Sequence, residues 1–209
     1  MDINFDQLSQ INKTLKKFPK AKLQIVTKNR NIKIIRELID NGYQLFGENK
    51  VQEAKEKFAD ILKPNIELHL IGPLQTNKVK LAVQLFDTIQ SIDRTKLVNE
   101  IIKCREKSIF KTRNFFIQIN IGEESQKAGI YPKDLEGLYN LCDKNSLPVV
   151  GLMCIPPAGK TPEIYFNQMV LLRDSINPNL KLSMGMSSDY KAALDSGSNL
   201  IRVGSKIFN

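Results

Sequence analysis

What most constrains this chain is a regular alternation of short β-rich runs with longer amphipathic ones. Eight apolar or β-branched runs recur, at 23–28 (LQIVTK), 45–49 (LFGEN), 66–72 (IELHLIG), 88–92 (TIQSI), 114–120 (NFFIQIN), 148–155 (PVVGLMCI), 180–186 (LKLSMGM) and 200–204 (LIRVG). Between them lie segments with helical period: NIKIIRELIDNG, VQEAKEKFADIL, TNKVKLAVQLF, RTKLVNEIIKCREK, PKDLEGLYNLCDKN, PEIYFNQMVLLRDSI and DYKAALDSG. In the first of these Ile34, Ile35, Leu38 and Ile39 share a face, and Gly42 has the position of a C-cap. Strands alternating with helices indicate parallel β/α packing, and eight strands close a barrel with the helices outside. The expectation is therefore an α/β fold, one single-domain (β/α)8 TIM barrel over 1–209. "KIFN" after the eighth strand is too short for a helix, but "FDQLSQINKTLKKF" at 5–18 is amphipathic and fits the vacant place in the outer ring. An open doubly wound sheet is marked by a glycine-rich turn after its first strand, whereas the turn here reads "TKNRN".

Composition narrows the function classes. The hydrophobic fraction of 42% and charged fraction of 25% are those of a folded globular chain, with no low-complexity tract or linker. No stretch is long enough to span a bilayer, and the amino terminus breaks every apolar run with Asp, Asn, Gln or Lys, so a cytoplasmic, membrane-free protein is expected. Cys104, Cys142 and Cys154 are odd in number and far apart, which fits neither a disulfide framework nor a CxxC pair, and a single histidine, His69, excludes a multi-His metal site. The net charge of +9 raises nucleic acid as a partner, but the lysines are spread over nearly every helix and often lie beside Asp or Glu. No zinc finger or RNP-like strand is present, so no specific nucleic acid is expected.

In such barrels function gathers at the carboxyl ends of the strands, and a phosphate site commonly forms at the turns after strands 7 and 8. Those two turns read Met186-Ser187-Ser188 and Gly204-Ser205, small and hydroxyl-bearing, so that backbone N–H groups and a serine hydroxyl can approach phosphate oxygens. Alternation along "LIRVGS" puts Arg202 on the face of Gly204, which in a barrel is the interior; its structural alternative is an ion pair with Glu48 or another carboxylate. Closure sets strand 1 beside strand 8 and brings Lys28 near Arg202. A lysine partly withdrawn from water beside another cation favours its neutral amine, the form that attacks an aldehyde. Lysine, arginine and phosphate cup together meet the requirements of pyridoxal 5′-phosphate (PLP).

The blocks "VTKNR", "FGENKVQEAKEK", "IELHLIGPLQTNK", "SIDR", "QINIGEESQKAGI", "GLMCIPP", "LSMGMSSDYKAAL" and "GSNLIRVGSKIF" run in order from about residue 21 to the end. Together they closely resemble the pyridoxal phosphate homeostasis protein family. The resemblance implies a barrel like the amino-terminal domain of alanine racemases, carrying PLP as a Schiff base on Lys28. It further implies Asn49 beside the cofactor ring, Arg202 facing the ring nitrogen, and Ser187, Gly204 and Ser205 on the phosphate. The chain departs from many relatives at Thr27, where they have Ser, at Ser205, where they have Thr, and at Arg30, where some have a second lysine; it also stops at Asn209 without the basic tail some carry. Lys127 matches the family pattern and reads either as a second cofactor contact or as a solvated loop charge.

The resemblance implies a carrier or regulator of vitamin B6, with amino or keto acids and PLP-dependent apoenzymes as further candidate partners. An arginine opposite the ring nitrogen leaves that nitrogen unprotonated, so the ring is a weak electron sink. Racemisation needs an acid/base group on each face of the substrate carbon. Lys28 supplies one; in alanine racemases the other is a tyrosine from an additional carboxyl-terminal domain, for which His69 and Tyr43 are the candidate substitutes here. His69, inside strand 3, reads better as a structural hydrogen-bonding residue. The expectation is thus a non-enzymatic, monomeric cofactor-binding protein, with a racemase-like enzyme of low activity as the alternative.

Overall fold

The computed structural model describes residues 2–59, 61, 65–107 and 109–208. Its strands are β1 (Lys22–Val26), β2 (Leu45–Glu48), β3 (Glu67–Leu70), β4 (Thr88–Ile92), β5 (Asn114–Ile119), β6 (Val149–Cys154), β7 (Lys181–Ser183) and β8 (Leu200–Val203), and they form a closed barrel in sequence order. After β1 to β7 come, in turn, α2 (Ile32–Asp40), α3 (Val51–Phe58), α4 (Val79–Leu85), α5 (Thr95–Lys107), α6 (Leu135–Lys144), α7 (Pro162–Ile176) and α8 (Tyr190–Asp195). The alternation expected from the sequence is the fold observed. Asp60 and Leu62 of the expected α3 segment, and Asn209 of "KIFN", lie outside the described residues.

Local signals explain the helix boundaries. Asn31 caps α2 by accepting the Ile34 N–H at 3.0 Å, and Gly42 follows its end at φ +86°, a left-handed conformation that glycine adopts without a Cβ penalty. Ile34, Ile35 and Leu38 are buried, the face that the 3.6-residue period marked. The helix expected near the amino terminus is α1 (Phe5–Leu15), capped by Asn4, with Leu8 and Ile11 fully buried. The Asn4 N–H donates to the Ile207 carbonyl at 3.0 Å, and Ile3 bridges Phe208, so α1 closes the outer ring beside the carboxyl-terminal residues.

The main core lies between barrel and helices, where Phe46, Phe58, Phe86, Phe115, Phe166, Leu38 and Leu68 are wholly buried. Each such side chain contributes about 1.5–3 kcal/mol relative to exposure. The barrel's inside is different, because hydrogen bonds cross it between strands that are not neighbours: Gln24 of β1 with Gln90 of β4, Gln90 with Ser183 of β7, and Arg202 of β8 with the Cys154 carbonyl of β6. Buried polar groups of this kind persist only when paired, and these pair with one another. The β1–β8 register sets Gln24 opposite Arg202. Inward positions alternate along the strand, so Lys28 stands two inward positions above Arg202's level.

Candidate functional site at the carboxyl end of the barrel

A cavity of ≈ 510 Å³ opens at the carboxyl ends of the strands, a size suited to a small organic ligand. Lys28, Asn49, Ser187, Arg202, Gly204 and Ser205 all line it, so the structure brings together every site residue expected from sequence. It is also lined by Gly72, Gln118, Lys127 and Ser188. Gly72 is required by close approach, since a Cβ there would lie 2.1 Å from the Asn49 carbonyl oxygen; any side chain would push Asn49 from its place.

Lys28 differs from expectation in one respect. β1 ends at Val26, and Lys28 is exposed at the cavity rim rather than partly withdrawn from water. The reason is the register: the strand end that carries Lys28 projects beyond the layer where Arg202 is buried. Its turn is held from behind. Thr27 donates its hydroxyl to Glu48 Oε1 at 2.6 Å, Lys57 of α3 donates to the same oxygen at 3.0 Å and to the Thr27 carbonyl at 2.8 Å, and the Asn29 N–H donates to Glu53 Oε1 at 2.6 Å. Asn29 adopts φ +58°, a left-handed conformation that asparagine tolerates better than most residues. Glu48 is wholly buried, and desolvation raises its carboxyl above the ordinary value, opposed by the Thr27 hydrogen bond and Lys57. A raised folded-state value means that the native state holds more protons; the stability this group contributes is present at low pH and lost as pH rises through that value. Glu48→Gln keeps the shape and leaves Lys57 paired with Glu53. The variant's melting temperature relative to the parent should therefore improve as pH rises from the ordinary carboxylate range through the raised folded-state value. A difference that stays flat with pH would show that Glu48 titrates alike in folded and unfolded chains.

Arg202 is 4% exposed and has neutral partners: its Nη1 donates to Ser183 Oγ and its Nη2 to the Cys154 carbonyl, each at 2.7 Å. The ion pair with Glu48 considered from sequence is not formed, since Glu48 faces the opposite layer and binds Thr27 and Lys57. Burial lowers Arg202's affinity for its proton, yet a guanidinium remains charged throughout the physiological range. The same desolvation pushes the Cys154 thiol up to about 12, so Cys154 is an inert core residue whose carbonyl is the functional atom. A buried cation whose hydrogen-bond acceptors among the described residues are neutral is costly, and it lines a cavity where a ligand acceptor can reach it.

The turns after β7 and β8 bring Ser187, Gly204 and Ser205 together on one wall of the cavity. The N–H groups of Gly204 and Lys206 converge on Ser187 Oγ at 3.4 and 3.3 Å, so two backbone donors and a hydroxyl point at one small volume. The Lys206 N–H was not anticipated, because a backbone donor carries no residue-type signal. The partners of Arg202, the Ser183 hydroxyl and the Cys154 carbonyl, were also missed, as were Gln90 and Gln24 behind Ser183; of these only Gln24 carried a signal, since it interrupts the apolar run of its strand. Lys127 lines the cavity wall, donating to the Pro156 carbonyl at 3.2 Å and pairing with Glu124. His69 and Tyr43 do not line the cavity. His69 is buried between Gln90 and Glu67, the structural role expected of it, and Tyr43, just before β2, accepts from Asn12 of α1 at 3.1 Å. Among the described residues no helix is long and apolar enough to cross a membrane, and no cluster of potential metal ligands is found.

This closed barrel, with its strand-end lysine and cup at strands 7 and 8, has the architecture of the alanine racemase amino-terminal domain, and the model of that domain family matches residues 3–209. The chain belongs within it to the pyridoxal phosphate homeostasis proteins. It is 36% identical to the member from Aquifex aeolicus, covering 90% of this chain and 86% of that protein, and 35% identical to the member from Escherichia coli K12, covering 89% and 84%. Among solved structures it superposes on PipY of Synechococcus elongatus PCC7942 without PLP (TM-score 0.88, 33% identity, 98% and 99% of the two chains). It also superposes on the same protein with PLP bound (TM-score 0.82, 31% identity, 98% and 99%). The likeness to Corynebacterium glutamicum alanine racemase, at 18% identity and TM-score 0.68 over 60% of that enzyme, is one of fold.

Proposed function

We propose that this chain binds pyridoxal 5′-phosphate, held covalently at Lys28, and serves in the cell's homeostasis of that cofactor as a carrier rather than as an enzyme. The observation that carries the reading is Arg202: a guanidinium buried among neutral partners at the floor of a cavity whose rim bears a lysine and whose wall bears a two-amide cup. The residues fit the cofactor's three handles. The Lys28 amine is placed to condense with an aldehyde, Arg202 to donate to the ring nitrogen, and Ser187 and Ser205 with the N–H groups of Gly204 and Lys206 to hold the phosphate. Asn49, whose backbone lies against Gly72, would stand beside the ring. When bound, PLP supplies an aldehyde carbon and a conjugated ring able to accept electrons. Arg202, a donor without an acceptor atom, keeps the ring nitrogen unprotonated, which suits holding the cofactor more than stabilising a carbanion.

PipY, which shares the fold, has been solved with PLP bound. The carrier reading is supported further by the positions of His69 and Tyr43, neither of which lines the cavity to offer a second acid/base group. Amino or keto acids that compete for the aldehyde, and apoenzymes that take the cofactor up, are the partners this reading calls for. The test is an absorption titration of the purified protein with PLP, then borohydride reduction and peptide mapping by mass spectrometry. A new visible band with the reduced cofactor fixed on Lys28 is the expected result. No band, or the cofactor mass on another lysine, overturns the reading.

A further inference from the structure

Below the cavity a chain of hydrogen bonds runs through the barrel, and its direction is fixed. The Phe46 carbonyl can only accept, so the Gln24 amide points its Nε2 there, at 3.1 Å, and leaves Oε1 as an acceptor. That oxygen takes Gln90 Nε2 at 3.0 Å, and the same Nε2 lies 2.7 Å from His69 Nδ1. Gln90 is therefore the donor to His69, which puts the imidazole's proton on Nε2, 2.8 Å from Glu67 Oε1. At the other end Gln90 Oε1 accepts the Ser183 hydroxyl at 2.6 Å, which frees Ser183 Oγ to accept from Arg202 at 2.7 Å. The charged groups near the far end are Glu67 on β3, whose carboxyl is held low first by the His69 hydrogen bond, and Lys22 of β1 and Lys181 of β7 beside it.

We propose that Ser183, Gln90 and His69 are positioning residues for Arg202: a hydrogen-bond chain of one polarity, anchored on the Phe46 carbonyl and on Glu67, keeps Ser183 an acceptor and so pins the guanidinium as a donor toward the cavity. The consequence for PLP rests on the function proposed above; the polarity of the chain does not. Gln90→Glu is the sharpest perturbation, because it replaces the central donor with an oxygen facing two acceptors, Gln24 Oε1 and His69 Nδ1. His69 must then take a second proton to pair with it. Ser183→Ala removes the two links made by the Ser183 hydroxyl, from Arg202 and to Gln90 Oε1, and leaves the Gln24–Gln90–His69 portion intact.

The chain's single histidine makes the experiment direct: nitrogen NMR of protein labelled with ¹⁵N-histidine, without cofactor, followed by the rate of PLP release. In the parent protein at neutral pH Nδ1 should be unprotonated and Nε2 protonated, and in Gln90→Glu Nδ1 should move to the protonated range. Ser183→Ala should leave the histidine signals unchanged. Both variants should release PLP roughly tenfold faster, as the weakening of one hydrogen bond to a charged group predicts. A parent His69 protonated on Nδ1 overturns the assigned polarity. Release rates equal to the parent's in Ser183→Ala overturn the positioning role, and this variant decides that point should Gln90→Glu fail to fold. If the parent takes up no PLP, the proposed function falls, while the nitrogen signals still decide the chain's direction.

Discussion

Lys28→Ala protein mixed with PLP is expected to show no visible band characteristic of the parent and no cofactor mass after borohydride reduction, while melting within a degree or two of the parent. On the proposed function the first effect is all-or-none, because a covalent hold has no partial substitute: the cup and Arg202 would retain the phosphate and ring only by non-covalent contacts. The second follows from exposure. Lys28 sits at the rim, beyond the end of β1, and removing an exposed side chain changes stability by about 0.5 kcal/mol or less. The turn itself is held by Thr27, Asn29, Glu48, Glu53 and Lys57, none of which the substitution touches. Absorption spectroscopy with mass mapping measures the first effect and thermal melting the second. An unchanged band in Lys28→Ala would remove Lys28 from the site.

The second large effect is expected at Arg202, with opposite consequences for ligand and fold. Arg202→Leu removes two charge-assisted hydrogen bonds, to Ser183 and to the Cys154 carbonyl, but also removes a buried cation that forms no ion pair among the described residues. Replacing a buried charge by an apolar side chain is often neutral or stabilising, so the protein without cofactor should melt close to the parent or above it. PLP affinity should nevertheless fall about 10-fold to 100-fold, the worth of one hydrogen bond from a charged donor. Arg202→Glu should in addition alter the bound cofactor's spectrum, because a carboxylate shares a proton with the ring nitrogen where a guanidinium donates without releasing one. Melting curves, equilibrium titration and spectra separate these effects. Equal affinities and identical spectra across the three proteins would argue that Arg202 does not face the ring.

The parts of the site legible in sequence were those whose chemistry is tied to residue type and strand position. Lys28, Asn49, Arg202 and the serine and glycine turns sit at strand ends, where alternation and barrel closure predict convergence. The exposure of Lys28 was not legible, because it depends on how far each strand end projects above its neighbours, and that is set by register: Gln24, not Lys28, lies opposite Arg202. Glu48 shows the same limit. Sequence offered it as a partner for Arg202, but it faces the helix layer and completes the brace behind Lys28. The Lys206 amide in the cup was invisible for a simpler reason, that every residue but proline has one.

By itself the sequence determined the barrel, since eight short β-rich runs with intervening amphipathic helices have few ways to bury both faces of a parallel sheet, and it determined which side chains stand at the functional end. Only the tertiary structure decided what lies beneath them. Gln24, Ser183, Gln90, His69 and Cys154 are 19 to 93 residues from their partners, and each is ordinary in its own strand. They form one polarised chain because closing the sheet brings inward positions of non-neighbouring strands within hydrogen-bond reach. Desolvation there obliges each polar group to pair, and closure of the barrel brings the partners within reach.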